Sequence, residues 1–223
     1  MAEIEEFESR QAMTRAAARA VVDVLTAKTQ GSGRASMACS GGTSPISLYE
    51  ALSGEASLPW ERIDVTLADE RDAPDGAEAR NDLLVRQHLL RGPARHASFT
   101  PLVGTDRLPP ELLPLSVAVM GMGEDGHTAS WFPTSPGLSD ALEGADRDVV
   151  RVVPDPMPEN APYERLSLTR AAITHAGLTL LLVTGEKKRA VLDEAMRHGQ
   201  VETMPVRALI HAREANLRIL YAA

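Results

Sequence analysis

Short apolar runs alternate along the chain with stretches in which apolar residues recur at helical spacing. The runs are the length of buried strands and are bounded by glycine and polar residues. They predict strands over residues 34–40, 63–68, 115–121 and 176–184. The helical spacing predicts helices over residues 9–29, 46–52, 77–90 and 185–196. Strands that alternate with helices are typical of an α/β protein with a mostly parallel sheet.

Residues 154–162 break this alternation because PDPMPENAP contains four prolines, which neither a helix nor a central strand accommodates. We interpret the segment as a surface crossover within a single domain over residues 1–223, because each flank is too short to fold alone. The N-terminus lacks the pattern of a signal peptide, and no apolar run approaches the roughly 20 residues of a membrane span. We therefore expect a cytoplasmic protein.

Charge and cysteine content narrow the range of partners. The chain has 23 Lys and Arg against 31 Asp and Glu, a formal charge of −8. This balance argues against nucleic acid or an anionic membrane as the main partner. Cys39 is the single cysteine, so no intrachain disulfide is possible. The sequence contains no CxxC or HExxH motif and therefore gives no indication of a metal site.

Glycine-rich or polar segments follow each predicted strand, at residues 40–43, 69–71, 121–127 and 184–188. In an open parallel sheet, ligands bind beyond the carboxyl ends of the strands. We therefore expect the four segments to converge on one edge of the sheet.

Two of these segments carry features suited to an anion. In SGGTSP, Gly41 and Gly42 let the backbone approach a ligand, and the following helix start offers free N–H groups; the alternative is a tight turn with an N-cap. In GEKK, Lys187 and Lys188 begin a helix, where the helix dipole disfavours cations. Either a lysine binds an anion there, or Glu186 offsets the charge and both lysines face solvent.

The GMGEDGH segment matches G-x-G-x-x-G formally, which raises the possibility of a dinucleotide site. Glu124 and Asp125 would place two negative charges where a pyrophosphate must lie, so we favour a loop that presents Asp125 and His127. Histidine is the natural general base at neutral pH, and a carboxylate two residues away can orient it. The alternative for His127 is a helix-capping or loop histidine without a catalytic role. Arg71, in ADER, is either a ligand for phosphate or carboxylate or part of a surface ion pair.

With these residues in place, the chain resembles the 6-phosphogluconolactonases of the pentose phosphate pathway. The resemblance runs through SGGTSP, ADER, Asn81, MGMGEDGHTASWFP, RLSLT, VTGEKK and Pro205, and so covers most of the chain. Trp131 stands where the family usually has leucine, and Lys188 rather than Lys187 aligns with the family's lysine.

The resemblance implies a three-layer α/β/α Rossmann-like fold shared with glucosamine-6-phosphate deaminases and ribose-5-phosphate isomerases. It implies hydrolysis of 6-phospho-D-glucono-1,5-lactone without a required metal or organic cofactor. We expect a monomer or weak dimer. It makes His127 the base, with Asp125 beside it. The implied phosphate or substrate contacts are Gly41, Gly42, Thr43, Arg71, Arg165 and Lys188. The loop glycines Gly121, Gly123 and Gly126 are candidates to hold the oxyanion.

Two other functions fit the same residues less well. An amino-sugar-phosphate isomerase or deaminase would need a more acidic strand end than DER and a different pattern from HTASWFP. A non-catalytic sugar-phosphate sensor would usually carry a DNA-binding helix pair, whereas a single helix precedes the first predicted strand.

Overall fold

The computed structural model describes residues 3–144 and 146–223. The strands in these residues are β1 (Ile4–Phe7), β2 (Ala35–Cys39), β3 (Ile63–Leu67), β4 (Asp69–Arg71), β5 (Ser98–Phe99), β6 (Val117–Gly121), β7 (Val149–Val152), β8 (Arg165–Leu168), β9 (Leu178–Thr184) and β10 (Leu217–Ala222). The α-helices are α1 (Arg10–Lys28), α2 (Ile46–Ser53), α3 (Asn81–His88), α4 (Leu138–Glu143), α5 (Arg170–Thr174), α6 (Glu186–Ala195) and α7 (Arg207–Ile210).

The main sheet has seven strands in the order β1-β10-β9-β6-β2-β3-β5, and every pair is parallel. Helices cover both of its faces. The four strands predicted from the apolar runs are confirmed as β2, β3, β6 and β9, and they form the middle of the sheet. The chain runs from β2 outward to β3 on one side and from β6 outward to β9 on the other. The β2–β6 boundary is therefore the topological switch point at which α/β proteins bind ligands.

A second sheet, which the sequence did not predict, holds β4, β8 and β7 in antiparallel order. The chain passes into it directly from β3 through Ala68. The Ala68 N–H donates to the Cys39 carbonyl in the main sheet, and its carbonyl accepts from Leu168 N–H in the second sheet. One continuous stretch of chain thus fixes the second sheet against the carboxyl edge of the first.

Two predictions about connections are wrong in detail. The helix expected from residue 77 begins only at Asn81, because residues 74–80 form two turns closed by the N–H groups of Ala77 and Arg80. Residues 154–162 join β7 to β8, which are antiparallel neighbours, so the proline-rich segment is a long hairpin loop and not a crossover.

The buried apolar side chains of both sheets and the surrounding helices belong to one core. Helix α1 begins where the N-cap Ser9 accepts through Oγ from Ala12 N–H, and it packs across β10, β9, β6 and β2. Cys39 is buried in β2, and burial raises the pKa of its thiol to about 12. No helix in the described residues is both long and apolar enough to cross a membrane.

Candidate functional site

The four polar segments converge, as expected, beyond the carboxyl ends of β9, β6 and β2. They enclose a cleft of about 180 Å³. Drug-sized ligands occupy pockets of roughly 300–1,000 Å³, so a cleft of this size suits a small polar metabolite. We use "the cleft" for the space lined by Ser40, Gly41, Gly42, Thr43, Ser44, Pro45, Asp69, Arg71, Asn81, Gly121, Met122, Gly123, His127, Ala129 and Lys188.

The glycine loop between β2 and α2 forms one wall of the cleft. Ser40 anchors its start, because its hydroxyl donates to the Val119 carbonyl at 2.6 Å and its carbonyl accepts from the buried Tyr49 hydroxyl at 2.8 Å. Gly42 has a φ of +82°, a conformation that glycine adopts without strain. Residues of the loop and Pro45, the N-cap of α2, line the cleft, where free backbone N–H groups suit an anion.

Asp125 and His127 form a pair inside the loop that follows β6. Nδ1 of His127 lies 2.6 Å from Oδ1 of Asp125, and the same oxygen accepts from the His127 backbone N–H at 3.1 Å. An ionised carboxylate only accepts, so Nδ1 carries a proton, and in the neutral ring Nε2 keeps its lone pair. Within residues 3–144 and 146–223 no protein group bonds Nε2. His127 lines the cleft and is thus arranged as a base, with Phe132 against its ring at a centroid distance of 4.5 Å.

No helix follows this loop until α4 begins at Leu138. A dinucleotide fingerprint needs a helix that opens directly after the glycines, because the pyrophosphate lies on its N-terminus. The structure therefore agrees with the choice of a histidine-presenting loop over a dinucleotide site.

Gly123 leaves the space in which the Asp125–His127 pair sits. A Cβ at this position would lie 2.2 Å from His127 Nδ1 and 2.4 Å from Asp125 Oδ1, which no real side chain tolerates. The Gly123 N–H also donates to the His127 carbonyl at 2.9 Å. The pair therefore depends on a glycine at this position.

Replacing Gly123 by alanine is expected to displace the His127 ring. The kcat of a reaction that uses this ring as a base should then fall by about tenfold, which corresponds to the loss of one hydrogen bond to a charged group. The fold should persist, because the loop is at the surface. Steady-state kinetics with Gly54→Ala as the control separates this effect from a general cost of alanine, since a Cβ at Gly54 meets nothing closer than 3.8 Å. Equal kinetics in the two variants would contradict the steric account.

Burial tends to raise the pKa of Asp125, but the hydrogen bond and charge of His127, together with backbone N–H groups, outweigh it and leave the pKa below its ordinary value of 3.8. Folded Asp125 therefore releases its proton more readily than unfolded Asp125 does. The interaction stabilises the fold fully above the ordinary value and is lost as pH falls through the lowered one.

The free energy of unfolding should accordingly differ between wild type and Asp125→Asn by a constant amount near neutral pH. That difference should shrink as pH falls below the ordinary value of 3.8. Urea titrations across this range measure it, with Asp23→Asn, an exposed position on α1, as the control. A difference that stays constant down to the acid limit would show that Asp125 has no lowered pKa.

Arg71 and Lys188 bring positive charge to the cleft. Arg71 is in no ion pair among the described residues: Asp72 pairs with Arg151 at 2.6 Å, and Glu70 bonds backbone N–H groups. The alternative of a surface ion pair for Arg71 is therefore wrong. Its Nη1 donates to the Ala79 carbonyl, and its buried Nε has no acceptor within the described chain.

The two adjacent lysines differ in their surroundings. Lys188 is partly buried and lines the cleft, whereas Lys187 is exposed and does not. Among the described residues Glu186 forms no ion pair with Lys188, and its carboxylate accepts from the Tyr221 hydroxyl at 3.1 Å. The interpretation in which both lysines face solvent is therefore wrong for Lys188.

Arg165 lies next to the cleft and not in its lining. It is the strand partner of Arg71, and its side chain is 3% exposed. Its guanidinium donates to the carbonyls of Ala161 and Tyr163. Burial, and then the charge of Arg71, lower the pKa of Arg165. In this conformation it adds charge behind Arg71 and does not itself face the cleft.

Two of the three loop glycines use their N–H groups for hydrogen bonds within the loop. Gly121 and Gly123 line the cleft, but Gly126 does not, and its carbonyl accepts from Val206 N–H. The N–H groups of Gly123 and Gly126 are already donated, to the carbonyls of His127 and Gly123. The expectation that these two N–H groups hold an oxyanion is therefore not met.

Sequence reasoning did not select Asp69 and Asn81 as site residues, although both line the cleft. Asp69 accepts from the Ser130 hydroxyl at 2.6 Å, and its carbonyl accepts from Asn81 Nδ2 at 2.8 Å. Asn81 also packs on the glycine loop, where a Cβ at Gly41 would lie 1.9 Å from its Oδ1. The available signal for Asn81 was its place among the residues that carry the family resemblance.

The described residues contain no group of three or more His, Cys, Asp or Glu side chains placed to hold a metal ion. Taken together, the parallel sheet, the switch-point cleft, the glycine loop and the cations define an α/β protein with a site suited to a small anionic metabolite. The His–Asp pair adds a base to that site.

Comparison with known proteins places the chain within this class. Residues 8–219 match the model of the family described as glucosamine-6-phosphate isomerases/6-phosphogluconolactonase, and the chain belongs to this family. It is 40% identical to a 6-phosphogluconolactonase of Caulobacter vibrioides, over 98% of this chain and 97% of that protein. It is 42% identical to one from Pseudomonas aeruginosa, over 81% and 79%. The crystal structure of a 6-phosphogluconolactonase from Shewanella baltica superposes with a TM-score of 0.89 at 32% identity, covering 100% of this chain and 98% of that one.

Proposed function

We propose that this protein is a 6-phosphogluconolactonase, which hydrolyses 6-phospho-D-glucono-1,5-lactone to 6-phosphogluconate in the oxidative pentose phosphate pathway. The observation that carries the proposal is the His127–Asp125 pair in a cleft that also holds Arg71, Lys188 and the glycine loop. A lactone phosphate needs these two elements together: a base for its carbonyl and a cationic site for its phosphate. The named relatives, which are similar over nearly the whole chain, support the same substrate.

The phosphate is anchored by the backbone of the glycine loop at Gly41, Gly42 and Thr43, with Arg71 and Lys188 opposing its charge. This anchor is remote from the reacting bond. Its binding energy holds the lactone carbonyl beside His127 and so reduces the entropic cost of reaction.

Water is the nucleophile. Nε2 of His127 takes a proton from a water molecule while the oxygen of that water attacks the lactone carbonyl. Asp125 holds the ring through Nδ1–H and stabilises the imidazolium that forms. As the tetrahedral intermediate collapses, the bond to the ring oxygen breaks, and the imidazolium returns the proton to that oxygen. The product is the open-chain acid, with the imidazole again neutral.

Hydrolysis of freshly generated 6-phosphogluconolactone, followed as acid release, tests the proposal. The lactone opens slowly unaided, so the rate without enzyme is subtracted. Fast turnover supports the function. Absence of acceleration overturns it, and two further assays then assign the protein. Ammonia release from glucosamine 6-phosphate would identify a deaminase, and tight sugar-phosphate binding without turnover would identify a sensor.

We further propose that the chain acts as one domain, as a monomer or weak dimer in the cytoplasm, with a sugar phosphate as its partner and no nucleic acid. The single buried core supports one domain, and the net charge of −8 argues against nucleic acid. Light scattering at micromolar concentration measures the assembly state.

A further inference from the structure

Glu70 is a buried carboxylate for which the mechanism above has no use. It lies in β4 between Asp69 and Arg71, two residues that line the cleft, and it is 0% exposed. Taking a carboxylate out of water is costly unless hydrogen bonds replace the lost hydration. Its partners therefore indicate what it does.

Both carboxylate oxygens of Glu70 accept from backbone N–H groups. Oε1 accepts from Arg71 and from Asn81, each at 2.7 Å, and Oε2 accepts from Asp82 at 2.9 Å. Asn81 and Asp82 are the first residues of α3, whose N–H groups have no acceptor within the helix. The nearest cation, Arg80 Nε, is 4.0 Å from Oε2, and Arg80 instead forms two hydrogen bonds to Asp82.

One carboxylate thus joins the end of β4 to the start of α3. Arg71 is held at both ends, because its N–H bonds Glu70 and its guanidinium donates to the Ala79 carbonyl just before the helix. Any shift of the α3 N-terminus relative to β4 would carry the Ala79 carbonyl away from Arg71. The position of the Arg71 guanidinium in the cleft therefore depends on the bonds that Glu70 makes.

We infer that Glu70 is a positioning residue for substrate binding: by clamping β4 to the N-terminus of α3, it holds the Arg71 guanidinium where the phosphate of the substrate binds. This inference rests on the proposed function. It predicts an effect on substrate affinity that operates through Arg71, whereas a role confined to stabilising α3 would not.

A double-mutant cycle separates the two roles. Glu70→Gln keeps the size of the side chain but presents an NH₂ group to at least one N–H donor. KM for 6-phosphogluconolactone should rise about tenfold, with kcat changed by less than about threefold. In an Arg71→Met background the same change should raise KM by less than about threefold, because the guanidinium it positions is gone. Glu61→Gln, at an exposed position, should change neither constant.

An equal rise in KM in both backgrounds, or an unchanged KM in Glu70→Gln, would overturn the inference. Thermal unfolding of every variant records the loss of stability separately. If Glu70→Gln does not fold, Glu70→Asp takes its place in the cycle, since it keeps the charge but shortens the reach by one methylene.

Failure of the proposed function is recognisable in the same experiment, because wild type would then not accelerate hydrolysis. The cycle is then carried out on the dissociation constant of 6-phosphogluconate, measured by calorimetry. The same non-additivity supports the positioning role, and additivity or no change rejects it.

Discussion

Replacing His127 by alanine is expected to lower kcat for 6-phosphogluconolactone by about 10²- to 10⁴-fold, the usual contribution of a positioned general base, while KM changes by less than about threefold. The reason is that His127 supplies the lone pair that accepts the water proton, whereas the phosphate contacts are made by other residues. Acid release from fresh substrate measures both constants once the spontaneous rate is subtracted.

His175→Ala is the matched control, because His175 is an exposed histidine at the end of α5 and does not line the cleft. It should retain wild-type kinetics. Equal losses in the two variants would move the base elsewhere. Wild-type turnover in His127→Ala would preserve the function and reject the mechanism.

Lys188→Ala is expected to raise KM by roughly 10- to 100-fold, with a much smaller effect on kcat, because a charge-assisted bond to phosphate contributes about 1.5–3 kcal/mol. Inhibition by 6-phosphogluconate should weaken by the same factor, since the product carries the same phosphate. Initial rates over a range of substrate and product concentrations measure both effects.

The adjacent Lys187→Ala provides the control within the same helical turn. It removes an equal charge from the same helix end, but from a side chain that is exposed and outside the cleft. We expect wild-type KM in this variant. If the two alanine variants behave alike, the effect is one of overall charge and Lys188 does not contact the phosphate.

The middle of the fold was predictable because its strands are buried on both faces, so that their apolar runs are continuous. The strands β2, β3, β6 and β9 are confirmed for this reason. The edge strand β1, IEEF, carries two glutamates and lacks that signal. The second sheet was missed because β4 has three residues and β8 alternates arginine, leucine and serine, so its pairing is set by tertiary contacts.

The contact between Asp125 and His127 could be predicted because it is local in sequence. Asp125 and His127 are two residues apart, and the glycines beside them indicated a loop, so the pair could be proposed from spacing. The placement of Arg165 could not be predicted from spacing, because it follows from the strand pairing of β4 with β8. Asn81 and Glu70 likewise act across contacts between segments that are distant in sequence.

The base depends on a contact that is local in sequence, whereas the phosphate site depends on contacts between distant segments. This difference has a consequence for partly unfolded molecules. The His127–Asp125 contact spans two residues and survives wherever its own loop is intact, whereas the phosphate site requires β2, β4, α3 and α6 to be assembled at once. Mild denaturant or a destabilising mutation far from the cleft should therefore weaken capture of the substrate before it disables the base. In such molecules, raising the substrate concentration would restore the rate.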